Sequence, residues 1–444
     1  VWPERLFWSA YLLRHIVGQR GYAFRPRASI LADQKRRIRR MIEHAYRRVP
    51  YYQETMDRLG LRPSDFQGAD DLARLPLLER REIQSDPERF IARGTNLKKC
   101  LALHSSGSSG APLTVFHDRR AALQTVAHSE RYRSVIAGLV GHKRRYRETI
   151  IQSVDSSSLQ HRRFWLGSTV LGKSFIPKKQ ILSVFDPPER NIRLLSEFAP
   201  DVVLSNGSSI GALFARLESW AGPVNLPKVA GYGADYLPDE LRRLIQERFG
   251  VAIVSAYASV EVQRIGFECE LHTGIHLNED IYPLRITDSG GRTLDPGEEG
   301  EVVVSNLINR AMVILNYRLG DAARFLPGSC PCGRSLPLLS FPRGRPNDWI
   351  RLAGGRTVHA YAALDLVLRD ESAVFQFQFV QDRPGFAVLS LVLREGSDWP
   401  SIESRLARRF RQAFGDSLGV EFRRVDSIPR QASGKVRVVV SSAP

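Results

Sequence analysis

The stretch Lys228–Glu261, KVAGYGADYLPDELRRLIQERFGVAIVSAYASVE, decides the fold. It opens on a strand-like run, Lys228-Val229-Ala230, that enters Gly231-Tyr232-Gly233-Ala234-Asp235. Leu237-Pro238-Asp239-Glu240 then starts a helix with Leu241, Leu244 and Ile245 on its inward face, and Gly250 stops it. Val251-Ala252-Ile253-Val254 reads as a buried strand, followed by Ala256-Tyr257-Ala258-Ser259-Val260-Glu261. A strand, a helix and a strand in close succession belong to an α/β body.

The same alternation extends outward from about 100 to 345. Thr149–Ser153 and Val202–Leu204 read as further strands. Upstream, residues about 30–95 are helical. Gln34–Arg48 carries Ile38, Met41, Ile42 and Ala45 at helical period, and Pro50 is expected to end it. Ser64-Asp65 and Asp70-Asp71 look like cap or turn residues. Downstream, Leu284–Asp288, a turn at Ser289-Gly290-Gly291, and Gly300–Val304 suggest antiparallel strands. After Gly344-Arg345-Pro346-Asn347-Asp348 a smaller α+β unit is expected. It would contain a hairpin at Gly354-Gly355, a helix near 360–370, strands 375–380 and 386–393, a helix 399–414 and a last strand 420–425. The predicted class is therefore α/β: a large N-terminal domain of several subdomains, 1–345, helical over about 1–95, and a smaller mobile α+β C-terminal domain, 346–444.

Composition sets limits. The chain has 444 residues, too many for one core, and 43% apolar residues, enough for a sizeable one. No apolar run reaches the ~18 residues of a membrane span. The first 24 residues mix Trp2, Phe7, Trp8, Tyr11 and Leu12 with Arg5, Arg14 and His15, which is no signal peptide. They read as a helix packed on the body, with peripheral membrane contact through this segment as the alternative. The net charge is +17, but the basic residues are spread along the chain. Lys35–Arg40 and His142–Arg147 are the densest clusters, no nucleic-acid motif lies beside either, and a nucleic-acid partner is not expected. Four cysteines form no disulfide framework, so a reducing, cytoplasmic setting is expected.

Six stretches carry potential chemistry. Leu103-His104-Ser105-Ser106-Gly107-Ser108-Ser109-Gly110-Ala111-Pro112-Leu113-Thr114 has glycines that let backbone approach an anion, and hydroxyls that donate to it. No Gly-Lys-Ser/Thr follows, so it is not a Walker A loop. A flexible linker is the plain alternative, but strand-like residues flank it on both sides. Gly231–Asp235 and Ala256–Glu261 follow strand-like runs, where α/β folds place ligands. A tyrosine there offers a ring to a base, and a glutamate offers hard oxygens to Mg²⁺. Asn316-Tyr317-Arg318-Leu319-Gly320-Asp321, Gly344–Arg351 and Pro429-Arg430-Gln431-Ala432-Ser433-Gly434-Lys435-Val436-Arg437 complete the set.

Taken in order, these six resemble the core motifs of the adenylate-forming superfamily of acyl-CoA synthetases, peptide-synthetase adenylation domains and luciferases. His44-Ala45, Val49-Pro50-Tyr51-Tyr52, Asp71-Leu72, Leu75–Leu78, Phe267–Glu270, Gly274-Ile275-His276 and Glu279-Asp280 look like the phenylacetate–CoA ligase and capsule-biosynthesis branch. The resemblance implies that Ser105, Ser106, Gly107, Ser108, Ser109 and Gly110 wrap the ATP phosphates. It implies that Gly233, Ala234 and Asp235 line the adenine site, with Tyr257 stacked on the base. Asp321 would bind the ribose, Arg345 the nucleotide and Glu261 the Mg²⁺. Asn347 would mark the hinge, and Lys435 would be catalytic at the α-phosphate, with Glu261. Three positions depart from the pattern: Ala111 where lysine is common, Val260 where a hydroxyl residue precedes the glutamate, and Asn347 in place of the hinge aspartate.

The implied reaction joins a small carboxylic acid, aryl or acyl, to MgATP as acyl-AMP, then passes the acyl group to coenzyme A. An amine, hydroxyl or sugar acceptor is the nearest alternative, and a non-catalytic nucleotide-binding scaffold the more distant one. Neither the acid nor the oligomeric state can be read from the sequence. Separately, Cys330-Pro331-Cys332 with Cys269 and His276, or His272 in its place, has the donor types of a closed structural Zn²⁺ site.

Overall fold

A computed structural model describes residues 2–105, 113–141, 146–171, 178–235, 237–342, 349–360, 364, 367–368, 371, 373–431 and 434–441. Its contacts group into two compact units. One comprises Val1–Arg144, Asp155–Pro177 and Val254–Pro342; the other comprises Arg145–Val154, Lys178–Ile253 and Arg343–Pro444.

In the first unit, helix Arg27–Arg48 buries Ile38, Met41, Ile42 and Ala45. Pro50 does not simply end the helical region. Val49 is extended, and Pro50 starts a new helix, Pro50–Arg58. A proline lacks the N–H that the first turn leaves unbonded, and its φ suits that position. Helix Trp2–Ile16 packs Leu12, Trp8, Tyr11 and Ile16 around Leu123 and Ala127 of helix Arg119–Val140. Its other face leaves Trp2, Leu6, Phe7 and Leu13 exposed. Among the described residues no helix is long and apolar enough to cross a membrane.

Strand Ala252–Ser259 pairs antiparallel with Gln263–Glu268, which pairs with Ile275–Leu277. The strand runs past Val254 and takes Tyr257 into the sheet, where the sequence pattern suggests a loop. Leu284–Thr287, Gly300–Val304 and Tyr317–Ala323 form the expected antiparallel sheet. The same unit holds a buried ion pair. Arg131 gives two hydrogen bonds to Asp280, of 2.6 and 3.0 Å, and one each to Gln19 and Asn278. Neither charged side chain is exposed, and the guanidinium lies 4.0 Å from the Tyr22 ring centroid.

In the second unit four parallel strands stand in the order Lys178–Ser183, Arg147–Gln152, Val202–Asn206, Val229–Gly233. Their register pairs Asn206 with Gly233, so the chain leaves both strands side by side at their carboxyl ends. Helices Pro188–Phe198, Gly207–Glu218 and Asp239–Glu247 bury Ile192, Ile210, Phe214, Leu241 and Ile245 on this sheet. The C-terminal lobe has hairpin strands Val374–Arg383 and Phe386–Leu393, flanked by parallel Val439–Ser441 and Gly419–Arg424. The strand beginning near 420 is therefore not the last. Helix Trp399–Phe414 presents Ile402, Leu406, Phe410 and Phe414, spaced by four, to the lobe's core. The helix expected near 360–370 lies largely outside the described residues, and so does the boundary expected at 345/346.

Candidate active site and metal centre

The hairpin Leu101–His104 with Thr114–His117 carries the Ser/Gly-rich loop at its tip. Ser105 closes the neck: its N–H donates to Leu113 O at 2.9 Å, and its hydroxyl accepts from Leu113 N at 3.1 Å. Ser106, Gly107, Ser108, Ser109, Gly110 and Ala111 lie outside the described residues.

Glu261 is buried, and among the described residues its carboxylate faces Tyr317 and Arg80. Tyr317 donates its hydroxyl to Oε1 at 3.2 Å, and Arg80 Nη1 stands 3.5 Å from the same oxygen. Arg80 Nη2 also donates to the Ser105 hydroxyl at 2.6 Å. One guanidinium thus joins the neck of the proposed phosphate loop to the carboxylate proposed for Mg²⁺. Sequence reading misses Arg80, which lies in Glu79-Arg80-Arg81 with no motif to distinguish it from the other arginines. Where Val260 replaces a hydroxyl residue, its carbonyl accepts from His117 at 2.9 Å, and the Ser259 hydroxyl accepts from Val262 N at 3.3 Å.

Tyr257 and Asp321 meet directly: the phenol donates to Asp321 Oδ2 at 2.6 Å. Burial first, then the charges of Asp321 and Glu261, push the Tyr257 phenol well above its ordinary range, so it stays a donor. Two non-glycine residues of this unit have left-handed backbone: Gln263 (φ 69), two residues after Glu261, and Asn316 (φ 55), just before Tyr317. Left-handed backbone at non-glycine residues persists where surrounding structure holds it, commonly at functional sites. Asn316 is held by its own amide, which donates to Leu75 O at 2.6 Å.

The second unit brings together Asp235 and the loop of Lys435. Gly233 ends its strand, and Asp235 reaches the start of helix Gly207–Glu218. Its Oδ1 accepts from Ser208 N at 3.0 Å; its Oδ2 accepts from the Ser208 hydroxyl at 2.6 Å and from Val436 N at 3.3 Å. Burial raises the Asp235 carboxyl, against the Ser208 bonds and the Lys435 charge, which lower it. The resemblance places Asp235 at the adenine; in the structure its carboxylate binds protein groups. Arg430, which lies in the sixth stretch but carries no assigned role there, donates to the Ser209 hydroxyl at 2.9 Å; the sequence reading misses Ser208 and Ser209, although Asn206-Gly207-Ser208-Ser209 follows a strand-like run. Arg345 and Asn347 lie outside the described residues.

The third constellation is metal-like. The ligand atoms of Cys269, His276, Cys330 and Cys332 all lie within 4.8 Å of one another. Cys269 Sγ is 3.7 Å from Cys330 Sγ, and Cys332 Sγ is 3.4 Å from His276 Nε2. A disulfide would require about 2.05 Å. A tetrahedral zinc with Zn–S near 2.3 Å spaces its sulfurs about 3.8 Å apart, so the donor set fits. His272 does not join it: its Nδ1 stands 2.7 Å from Glu268 Oε1.

If Glu261 holds Mg²⁺ as the resemblance implies, Glu261→Gln should reduce acid-dependent ATP–pyrophosphate exchange roughly 10–100-fold and shift its Mg²⁺ optimum upward, because one formal charge leaves the site. Titrating exchange against Mg²⁺ in both proteins checks this; an unchanged Mg²⁺ profile contradicts the role.

Residues 353–442 match the family model described as the CapK C-terminal domain. A phenylacetate-coenzyme A ligase of Thermus thermophilus is 25% identical over 446 residues, 94% of this chain and 97% of the relative. One from Escherichia coli is 26% identical over 92% of this chain and 94% of its own. Protein CapK of Staphylococcus aureus is 19% identical over 92% and 88%. A solved 2-hydroxyisobutyryl-CoA ligase in the postadenylation state shares the fold, with TM-score 0.75 and 17% identity over 94% of this chain and 89% of that one. The fold and the ordered motifs define an adenylate-forming ligase. Within that superfamily, the chain is similar to the phenylacetate–CoA ligases along most of its length and to CapK in its C-terminal region.

Proposed function

We propose that the protein activates a small carboxylic acid with ATP and passes the acyl group to coenzyme A. A carboxylate oxygen attacks the α-phosphorus, the bond to the β-phosphate oxygen breaks, and pyrophosphate leaves. The thiolate of coenzyme A then attacks the acyl carbon and AMP leaves. The end-to-end match to phenylacetate–CoA ligases carries this reading. In it, Ser105–Gly110 and Arg345 hold phosphate and nucleotide, Asp321 the ribose, and Tyr257 the base. Glu261 would hold Mg²⁺, which neutralises phosphate charge when bound. Lys435 supplies a cation to the developing charge, on a lobe that begins near 346 and turns near Asn347. An amine or alcohol acceptor is the alternative to coenzyme A. ATP–pyrophosphate exchange over a panel of carboxylic acids that includes phenylacetate tests the first half. Adding coenzyme A, an amine or an alcohol to the best acid tests the second. No exchange with any acid refutes activation; transfer to an amine or alcohol but not to coenzyme A refutes the acceptor.

Cys269, His276, Cys330 and Cys332 are proposed to hold one structural Zn²⁺. With four protein donors no position is left for water, so the metal would tie together the segments that follow Glu261 and Asp321. Protein purified without chelator should carry about one zinc per chain. Cys332→Ser should lose it, with Tm lower by about 5 °C, the shift of roughly 2 kcal/mol in a large domain. Zinc-free protein whose Tm ignores chelators returns these residues to buried thiols and an imidazole.

A further inference from the structure

Asp235 stands at a junction that the nucleotide-binding reading does not account for. Adjacent parallel strands deliver Asn206 and Gly233 to the same sheet edge. Ala234, at φ 74, then turns the chain so that Asp235 points back at the helix beginning at Gly207. A carboxylate has about four acceptor positions. Here Ser208 takes two of them through its N–H and hydroxyl, and Val436 N takes a third. Val436 adjoins Lys435, so fixing this amide fixes the backbone from which the lysine projects.

The same patch is tied to the lobe twice more. Arg430 Nη1 donates to the Ser209 hydroxyl and to Gly434 O, both at 2.9 Å, and Gln376 Nε2 donates to Ser208 O at 3.1 Å. Among the loop's described residues, Gln431 N donates to Lys435 O at 2.9 Å and Gly434 N donates to Gln431 O at 2.8 Å. Gly434 has φ 81, and a Cβ there would stand 2.4 Å from Val184 Cγ1. Gly434 is thus seated closely against Val184.

We propose that Asp235 is a positioning residue that seats the Lys435 loop for acyl-adenylate formation, by holding the start of helix Gly207–Glu218 and the Val436 amide on one carboxylate. The inference rests on the proposed two-step reaction, in which the lobe turns before the acyl group is transferred. Asp235 then serves the first step and has no part in the second. A residue that lined the adenine would serve both steps, and a simple helix cap would serve neither in particular.

The test uses the full chain and the acid that gives the strongest exchange with the unaltered protein. Asp235→Ala should lower acid-dependent exchange about 10–100-fold, the usual consequence of misplacing a catalytic group. Thioester formation from chemically prepared acyl-AMP and coenzyme A should stay within about twofold, because the same principle applies only to the step that needs the group. Arg430→Gln, which loosens the same loop from Ser209, should show the same one-sided loss. Hydrogen exchange without substrate should show faster exchange in peptides spanning 430–438 in the Asp235→Ala protein. Equal losses in both half-reactions, or a raised KM for ATP with unchanged protection of 430–438, overturn the assignment. If the unaltered protein exchanges with no acid, the proposed reaction fails, and hydrogen exchange alone decides whether Asp235 seats the loop.

Discussion

Lys435→Ala is expected to lower acid-dependent ATP–pyrophosphate exchange by about 10²–10³-fold, the range seen when one preorganised group that stabilises transition-state charge is removed. Attack of a carboxylate on the α-phosphorus brings two anions together, and the repulsion peaks in the transition state. An ammonium held there acts where charge develops, so its loss falls on the rate of the step. ATP affinity should stay within about threefold, since interactions made mainly in the transition state contribute little to ground-state binding. The loop supports such a role: Gly434 is seated closely against Val184, and Asp235 and Arg430 pin both of its sides. Lys435→Arg should recover little, because a planar fork does not replace a compact point charge. Exchange kinetics and equilibrium ATP binding, measured on the same preparations, check the split. Full exchange activity in Lys435→Ala would remove the lysine from the mechanism.

The second large effect concerns stability. Asp280→Ala should destabilise the first unit by about 3–5 kcal/mol, because it leaves the Arg131 guanidinium buried without its counter-charge. Burial by itself would raise the Asp280 carboxyl, but the charge and hydrogen bonds of Arg131 outweigh it and hold the group well below its ordinary range. A carboxyl depressed on folding contributes its stability at pH values above its unfolded pKa of about 3.9. That contribution fades as pH falls through this value toward the folded one. The gap between the unaltered protein and Asp280→Ala should therefore be constant from about pH 5 to 8 and narrow below about 4. Denaturant unfolding across this range measures it. Arg131→Met combined with Asp280→Leu should restore much of the loss, since a buried pair exchanged for apolar groups is often close to neutral. A double variant no more stable than Asp280→Ala would show that the other bonds of Arg131, to Gln19 and Asn278, carry the site.

Much of the candidate site was legible because its motifs are local. Glu261 follows its strand by two residues, Asp321 lies within a six-residue motif, and Lys435 follows a glycine whose turn is recognisable. The partners of these residues were not legible. Asp235 meets Val436 across 201 positions, and Ser105 meets Arg80 across 25. No periodicity or propensity reports such separations, because the chain between them decides the meeting. The choice between His272 and His276 is of the same kind. Both lie near Cys269 in sequence, but His276 sits on strand Ile275–Leu277, paired with Leu338–Leu339, while His272 turns to Glu268.

By itself the sequence determined the α/β class, the order of the motifs and the amphipathic helices. Those depend on burying apolar residues at periods of 2 and 3.6, which any window of the chain displays. Asp239–Glu247 and Trp399–Phe414 follow from the helical period, and Val202–Asn206, buried on both faces, from its short apolar run. Only the tertiary structure decided that Tyr257 lies within a strand and bonds Asp321, that Arg80 stands between Ser105 and Glu261, and that Asp235 accepts from the Val436 amide. The reason is physical. A buried polar group must find a partner, and that partner is set by strand register and sheet order, which exist only once distant segments have packed.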